Sequence, residues 1–226
     1  MNKFIDVNIA KSFNSKLRTV NLSFNLEISL GEITGLYGPS GIGKSSLLKM
    51  VSGLEKPDSG NISYNDKEWF SESKKVNISP KNRSIAFVFQ DYNLFPNMSV
   101  YENLKYASPN GEVNPWILKL ANQLGVTEYL KNFPNELSGG QKQRAAILRA
   151  FAQEARTILM DEPFSSLDDT ITGQLTDVIK SLVDEKQLTI IIASHRKEML
   201  QNLVQEVILF ENNGNLTKAN PKNTWQ

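Results

Sequence analysis

From Val20 to Leu30 the chain alternates without a break. Val20, Leu22, Phe24, Leu26, Ile28 and Leu30 are apolar, and Asn21, Ser23, Asn25, Glu27 and Ser29 between them are polar. Successive strand side chains point to opposite faces, so this period of two predicts a half-buried antiparallel strand. Phe4, Val7 and Ile9 carry the apolar positions of an earlier strand, and Ser12 to Thr19 reads as an extended loop between the two. After Gly31-Glu32 the pattern changes. Ile33-Thr34-Gly35-Leu36-Tyr37 is short and apolar on both faces, as a strand inside a parallel sheet should be. Ser84 to Phe89, Thr157 to Met160 and Leu188 to Ala193 share that character. A helix is predicted over Lys44 to Ser52, closed by Gly53. Between Gln90 and Arg156 the spacing turns helical, through Tyr101/Leu104, Trp116-Ile117/Leu120/Leu124 and Ala145-Ala146/Leu148-Arg149/Ala152. The whole predicts a single α/β domain: a core from residues 1–90 and 157–226, antiparallel at its N-terminal end, with a helical insert at 91–156. The polar tail after Asn212 is expected to hold no further domain.

Composition narrows the function. The 25 Lys and Arg residues nearly balance 24 Asp and Glu, which removes the basic excess of a nucleic-acid binder. With no Cys and a single His, the chain has no thiolate metal site, Cys nucleophile or His-rich metal centre. The apolar runs Leu188 to Ala193 and Val204 to Phe210 fall far short of the roughly 20 residues a spanning helix needs. Asp6 interrupts the start before an apolar stretch develops, so no signal peptide is expected and the protein is placed on the cytosolic side.

Three segments carry chemistry. Gly38-Pro39-Ser40-Gly41-Ile42-Gly43-Lys44-Ser45 fits G-x-x-x-x-G-K-[ST], between a buried strand and a helix. Its glycines let backbone N–H groups turn inward around a phosphate, and the helix start points its positive end at the same anion. Lys44 adds a charge for the β- and γ-oxygens, the Ser45 hydroxyl can ligate Mg²⁺, and Ser46 follows on the same turn. Thr157-Ile158-Leu159-Met160-Asp161-Glu162 is an apolar strand ending in two acids. Beside a P-loop, Asp161 is assigned to the Mg²⁺ shell and Glu162 to the general base. In Leu137-Ser138-Gly139-Gly140-Gln141, Ser138 reads as the N-cap of a helix running to Phe151. Two glycines that weaken a first turn by roughly 1 kcal/mol each mark a second anion site.

On these residues the chain resembles an ATP-binding cassette (ABC) ATPase over nearly its whole length. Leu137 to Gln141 matches the family's signature motif, Gln90 after Phe87-Val88-Phe89 its Q-loop, Ser165-Ser166-Leu167-Asp168 its D-loop, and His195 after Ser194 its switch histidine. The resemblance implies a P-loop NTPase (RecA-like) fold with an N-terminal antiparallel β subdomain and a helical insert. It also implies ATP and Mg²⁺ as ligands, catalysis by Lys44, Gln90, Glu162 and His195, and a metal held by Ser45, Gln90 and Asp161. Two nucleotides would be sandwiched in a head-to-tail homodimer or related pair. Each would touch the P-loop of one subunit and Ser138, Gly139, Gly140 and Gln141 of the other, and the Q-loop would pass the nucleotide state to the insert. For the family's adenine-stacking aromatic the candidate is Phe13, with a core position next to Ile9 as the alternative.

The resemblance extends to partners. Leu94, Phe95, Met98 and Tyr101 lie in a Pro-containing loop and suit either packing within the insert or a groove for the coupling helix of a membrane permease. Val76 to Arg83, Ser84 to Gln90 and Leu94-Phe95-Pro96 are similar to the ATPase subunit of molybdate-type oxyanion importers. Asn97 departs from the histidine common there, and a C-terminal oxyanion-sensing domain is not seen. The expectation is a peripheral subunit on the cytoplasmic face of the inner membrane. It would power import of molybdate, tungstate or another oxyanion delivered by a periplasmic or surface solute-binding protein. The alternative is an ABC ATPase of lipoprotein release, cell division or export. One P-loop, and too few residues between Gln90 and Ser138 for a coiled-coil arm, exclude the translation and DNA-repair branches.

Overall fold

The two N-terminal apolar segments pair with each other. β1 (Phe4–Asn14) and β2 (Thr19–Ser29) run antiparallel, with Ile5 opposite Ile28, Ile9 opposite Phe24 and Phe13 opposite Val20. The structure is a computed structural model and describes residues 4–14, 19–211 and 215–225. It corrects the expected loop over Ser12 to Thr19. Ser12 to Asn14 remain in β1 and Thr19 opens β2, because period two persists through Phe13 and its cross-strand contact with Val20 extends the ladder. Residues 15–18 of that loop, and Met1 to Lys3 of the start read against a signal peptide, lie outside the described residues.

Along the chain follow β3 (Ile33–Tyr37), α1 (Lys44–Ser52), β4 (Ser59–Tyr64), β5 (Lys67–Ser71), β6 (Val76–Asn77) and β7 (Ile85–Val88). Three helices come next, α2 (Val100–Ala107), α3 (Pro115–Gln123) and α4 (Gly139–Ala152). The chain then returns through β8 (Thr157–Asp161), α5 (Asp169–Lys186), β9 (Thr189–Ser194), α6 (Lys197–Leu203), β10 (Glu206–Phe210), β11 (Leu216–Ala219) and α7 (Pro221–Thr224). One sheet, ordered β2-β1-β4-β5-β6, is antiparallel; the other, β11-β10-β3-β9-β8-β7, is parallel except for β11 at its edge.

The parallel sheet divides the core in two. Ile33, Ile158, Met160, Ile190 and Ile192 face a cluster shared with α4, α5 and α6, while Leu36, Leu159, Ile191 and Ala193 face a cluster built from α1 and the antiparallel sheet. Both faces are covered, which is why these strands read as unbroken apolar runs. Among the described residues no helix is long and apolar enough to cross a membrane.

Arg83, buried between the end of α1 and the β5–β6 margin of the antiparallel sheet, anchors α1 at its C-terminal end. Its guanidinium donates to the carbonyls of Met50 (2.9 Å), Val51 (2.8 Å) and Ile78 (2.9 Å) and lies 5.7 Å from the Trp69 ring centroid. The Met50 and Val51 carbonyls belong to the last turn of α1, where a cation also meets the negative end of the helix dipole. Burial pulls the pKa of Arg83 down to about 10, still well above neutrality. Replacing Arg83 by Met should therefore destabilise the fold by about 3 kcal/mol, since the carbonyls stay buried and lose their donors. The thermal midpoint followed by circular dichroism should fall by roughly 6–12 °C; a shift below about 2 °C would mean that water replaces the guanidinium.

Candidate functional site

The register of the parallel sheet aligns its carboxyl ends. Tyr37 of β3 pairs with Ser194 of β9, and Asp161 of β8 with Ala193. The residues that follow, Gly38, Glu162 and His195, leave the sheet at one edge, and Gln90 lies two residues beyond Val88 of β7. Ligands of open parallel sheets bind at such an edge. A cavity of about 400 Å³ opens there, lined by Ser40, Gly41, Gly43, Lys44, Ser45 and Ser46, with Gln90, Glu162 and His195 across from them. Ser165 also lines it, as do Phe13, Val20 and Leu22 from the antiparallel sheet. The three hairpin residues share one face of that hairpin, and Phe13 lines the cavity four residues along the strand from Ile9, which is buried in the core. The spacing of Val20 and Leu22 marks them as strand positions and carries no signal of the cavity. Gly38, Pro39 and Ile42 of the same loop as Lys44 are not among the lining residues, and Ile42 packs against the core.

Helix α1 begins without a side-chain cap, and its first turn holds no acid. Gly43 occupies the N-cap position at φ 111° and ψ 4°, where a Cβ would stand 2.9 Å from Leu22 Cδ1. The first-turn amides therefore face the cavity uncapped, as an anion site requires. Lys44 is buried and donates to the carbonyls of Gly38 (2.6 Å) and Pro39 (3.0 Å). Burial lowers its pKa, against the opposing pull of the Glu162 and Asp161 carboxylates.

The Ser45 hydroxyl donates to Asp161 Oδ1 at 2.9 Å, joining α1 to β8. Burial pushes the Asp161 carboxyl up, the Ser45 bond resists, and the Glu162 charge adds to the rise. Among the described residues no group of three His, Cys, Asp or Glu could hold a metal ion. The hydroxyl and carboxylate are hard oxygen donors that fit Mg²⁺ when phosphate and water complete its shell. Glu162 has left-handed backbone (φ 48°), a costly conformation for a residue with a Cβ, and its amide donates to the carbonyl of Ala193 at 2.9 Å. Its Oε1 lies 2.9 Å from His195 Nδ1, a hydrogen bond in the tautomer that carries the proton there.

The signature residues lie elsewhere. Ser138 caps α4 reciprocally with Gln141: Ser138 Oγ accepts from the Gln141 amide (3.3 Å), and Gln141 Oε1 from the Ser138 amide (2.8 Å). The Gln141 side chain thus serves the cap, while the Gly139 and Gly140 amides open the helix. None of the four lines the P-loop cavity. Gly139 adjoins Tyr92 and Ser166 of the same chain instead, and Gly140 adjoins the Ser166 carbonyl, contacts with no signal in the sequence. A separate groove of about 830 Å³ runs between the core and the helices, with Leu54, Phe89, Phe95, Tyr106 and Arg149 in its lining. Of the four apolar residues suited to either insert packing or a partner groove, Phe95 lines this groove, edge-on to Tyr106 with ring centroids 4.8 Å apart. Leu94 packs against the helical core, and Met98 and Tyr101 lie outside the groove.

Residues 22–165 match the family model described as ABC transporter. A probable sulfate/thiosulfate import ATP-binding protein of Chlorella vulgaris is 38% identical over 91% of this chain and 86% of its own. A thiamine import ATP-binding protein of Haemophilus influenzae is 34% identical over 86% and 90%, and a molybdenum import ATP-binding protein of Haemophilus ducreyi 34% identical over 92% and 58%. Among solved structures, a dimeric bacterial ABC transporter cassette superposes with a TM-score of 0.83 at 26% identity, covering 98% of this chain and 99% of that one. A dimeric post-hydrolysis state of an ATP-binding cassette bound to ADP and Pi gives 0.80 at 27% identity, with the same coverage.

The Gly43 geometry makes a direct prediction. Gly43→Ala should move the first turn of α1 and weaken nucleotide binding by about tenfold or more, the equivalent of about 1.4 kcal/mol, in a fluorescence titration. Unchanged affinity would show that the loop absorbs the Cβ without moving its amides.

Proposed function

The chain belongs to the ABC transporter family and is an ATPase working with ATP and Mg²⁺; from that membership we propose that it powers a membrane importer for a small oxyanion. It acts as one half of a nucleotide-sandwiching pair. The carrying observation is the separation of two sets of helix-start amides. The α1 set faces the cavity with Lys44 and Glu162, while the α4 set stands outside it, where a second copy's nucleotide can reach. The dimeric form of the similar cassette supports the same reading. Residues 91–156 then form the arm that carries the signature turn, and the permease docks in the groove bordered by Leu54, Phe95 and Tyr106.

In this reading Lys44 and the P-loop amides grip the β- and γ-phosphates, and Ser45, Asp161 and Gln90 hold Mg²⁺, which supplies charge neutralisation when bound. Lys44 then exchanges the carbonyls of Gly38 and Pro39 for phosphate oxygens. Glu162 accepts the proton of the attacking water through the carboxylate oxygen not engaged by His195, whose ring holds the carboxylate in one orientation. The signature amides of the facing copy meet the γ-phosphate. ATP therefore favours the closed pair by differential affinity, and hydrolysis releases it. Sulfate/thiosulfate and molybdenum import proteins among the relatives support the oxyanion class, with the subunit peripheral on the cytoplasmic face of the membrane.

Glu162→Gln should lower the rate of ATP turnover by about a hundredfold or more while nucleotide binding persists. An ATP-held dimer should then accumulate in size-exclusion chromatography with light scattering. Ordinary turnover in that variant would assign the water to another group. For the solute, the protein with its co-purified permease and solute-binding protein in proteoliposomes should take up radiolabelled sulfate or molybdate in an ATP-dependent manner. Uptake of thiamine instead would overturn the oxyanion reading.

A further inference from the structure

Between the nucleotide cavity and the signature turn lies a hydroxyl pair. Tyr92 Oη and Ser166 Oγ stand 2.8 Å apart, joining the Q-loop to the D-loop across 74 residues of sequence. Each loop also sends a residue into the nucleotide cavity close by, Gln90 two positions before Tyr92 and Ser165 one before Ser166. The signature glycines close the triangle. A Cβ on Gly139 would stand 3.3 Å from Tyr92 Oη, and one on Gly140 would stand 3.0 Å from the Ser166 carbonyl oxygen. The two glycines thus admit the hydroxyl pair and the D-loop backbone as well as baring amides.

The Q-loop is held in an uncommon shape to make this contact. Tyr92 and Asn93 are consecutive non-glycine residues with positive φ, 62° and 48°, a combination that persists only where surroundings enforce it. Arg149, buried in α4, enforces it by donating to the carbonyls of Asn93 (2.6 Å) and Tyr92 (3.3 Å). The backbone at Tyr92 is therefore clamped toward the C-terminal end of α4, and its side chain reaches the N-terminal end of the same helix. Ser166 is exposed and Tyr92 only half-buried, so a bond between their hydroxyls adds little to folding. Its value lies in what it aligns.

We propose that Tyr92 is a positioning residue, whose hydroxyl bonds Ser166 so that Gln90, Ser165 and the signature turn keep one mutual arrangement. This rests on the ATPase reading above. When the facing copy's nucleotide draws on the Gly139 and Gly140 amides, the displacement passes through the hydroxyl pair to Gln90 and Ser165 of this copy. Each site thereby senses whether the other is filled.

The test is a double-variant cycle on the full chain, with steady-state ATP turnover and the thermal midpoint as readouts. Tyr92→Phe and Ser166→Ala should each lower kcat about three- to tenfold and leave KM for ATP within about twofold. The double variant should be no slower than the slower single one, because both remove the same bond. Ser166→Thr, which keeps a hydroxyl, should retain at least about half of kcat. Midpoints should stay within about 2 °C of the parent. Multiplying effects, unchanged kcat, or a lowered midpoint with raised KM would overturn the proposal and leave the pair a packing contact. Turnover by the parent protein serves as the control: if the parent hydrolyses no ATP the ATPase reading itself fails, whereas an active parent beside a non-coupled cycle removes only the hydroxyl link.

Discussion

The alignment of strand ends in the parallel sheet is the constraint from which the site follows. A parallel ladder fixes neighbouring strands residue against residue, and here it brings Tyr37, Asp161 and Ser194 to one edge. No local preference of Glu162 or His195 could place them opposite a phosphate loop more than a hundred residues away. The sheet does so because each strand is buried on both faces, which leaves a slipped register nowhere to put its displaced side chains. The left-handed backbone at Glu162 is a cost that such a frame can impose at its margin and hold with the Ala193 carbonyl.

Half of the chemistry nevertheless faces away. The α4 start offers its amides outside the cavity, and its glycines pack so closely on the D-loop that a methyl group on Gly140 would meet the Ser166 carbonyl. A single chain thus presents one set of helix-start amides to the cavity and another away from it, and in the proposed pair a second copy would complete the arrangement. The Arg149 clamp and the Tyr92 contact make the donor set and the cavity wall parts of one body.

Legibility along the chain followed how local the determinants were. The β2 alternation, the helix from Lys44 to Ser52 and the Ser138 cap depend on neighbours a few residues apart, and each appears where the pattern placed it. The small strands β4, β5 and β6 were not predicted. They are short and polar, with Ile62, Trp69 and Phe70 as their deeply buried apolar anchors, and they exist because β1 offers a free edge. The helix α5 also went unread, although Leu175, Ile179, Leu182 and Val183 have helical spacing, since Thr and Asp residues dilute its apolar face. At the site, the phosphate loop, the paired acids and the histidine carry their own signals in residue type. Arg149 and Tyr92 do not: an arginine in an apolar helix and a tyrosine in a loop declare themselves only once folding supplies their partners.

The strand β11 has a consequence of another kind. It pairs antiparallel with β10 from Val207 to Phe210, along the outer margin of a sheet whose inner strands are all parallel. Without it, a five-residue, largely apolar strand would present bare peptide groups to solvent as a template for a neighbouring molecule. This modest strand thus works as a selvedge, keeping the weave from catching on another copy while leaving the cavity edge of the sheet open.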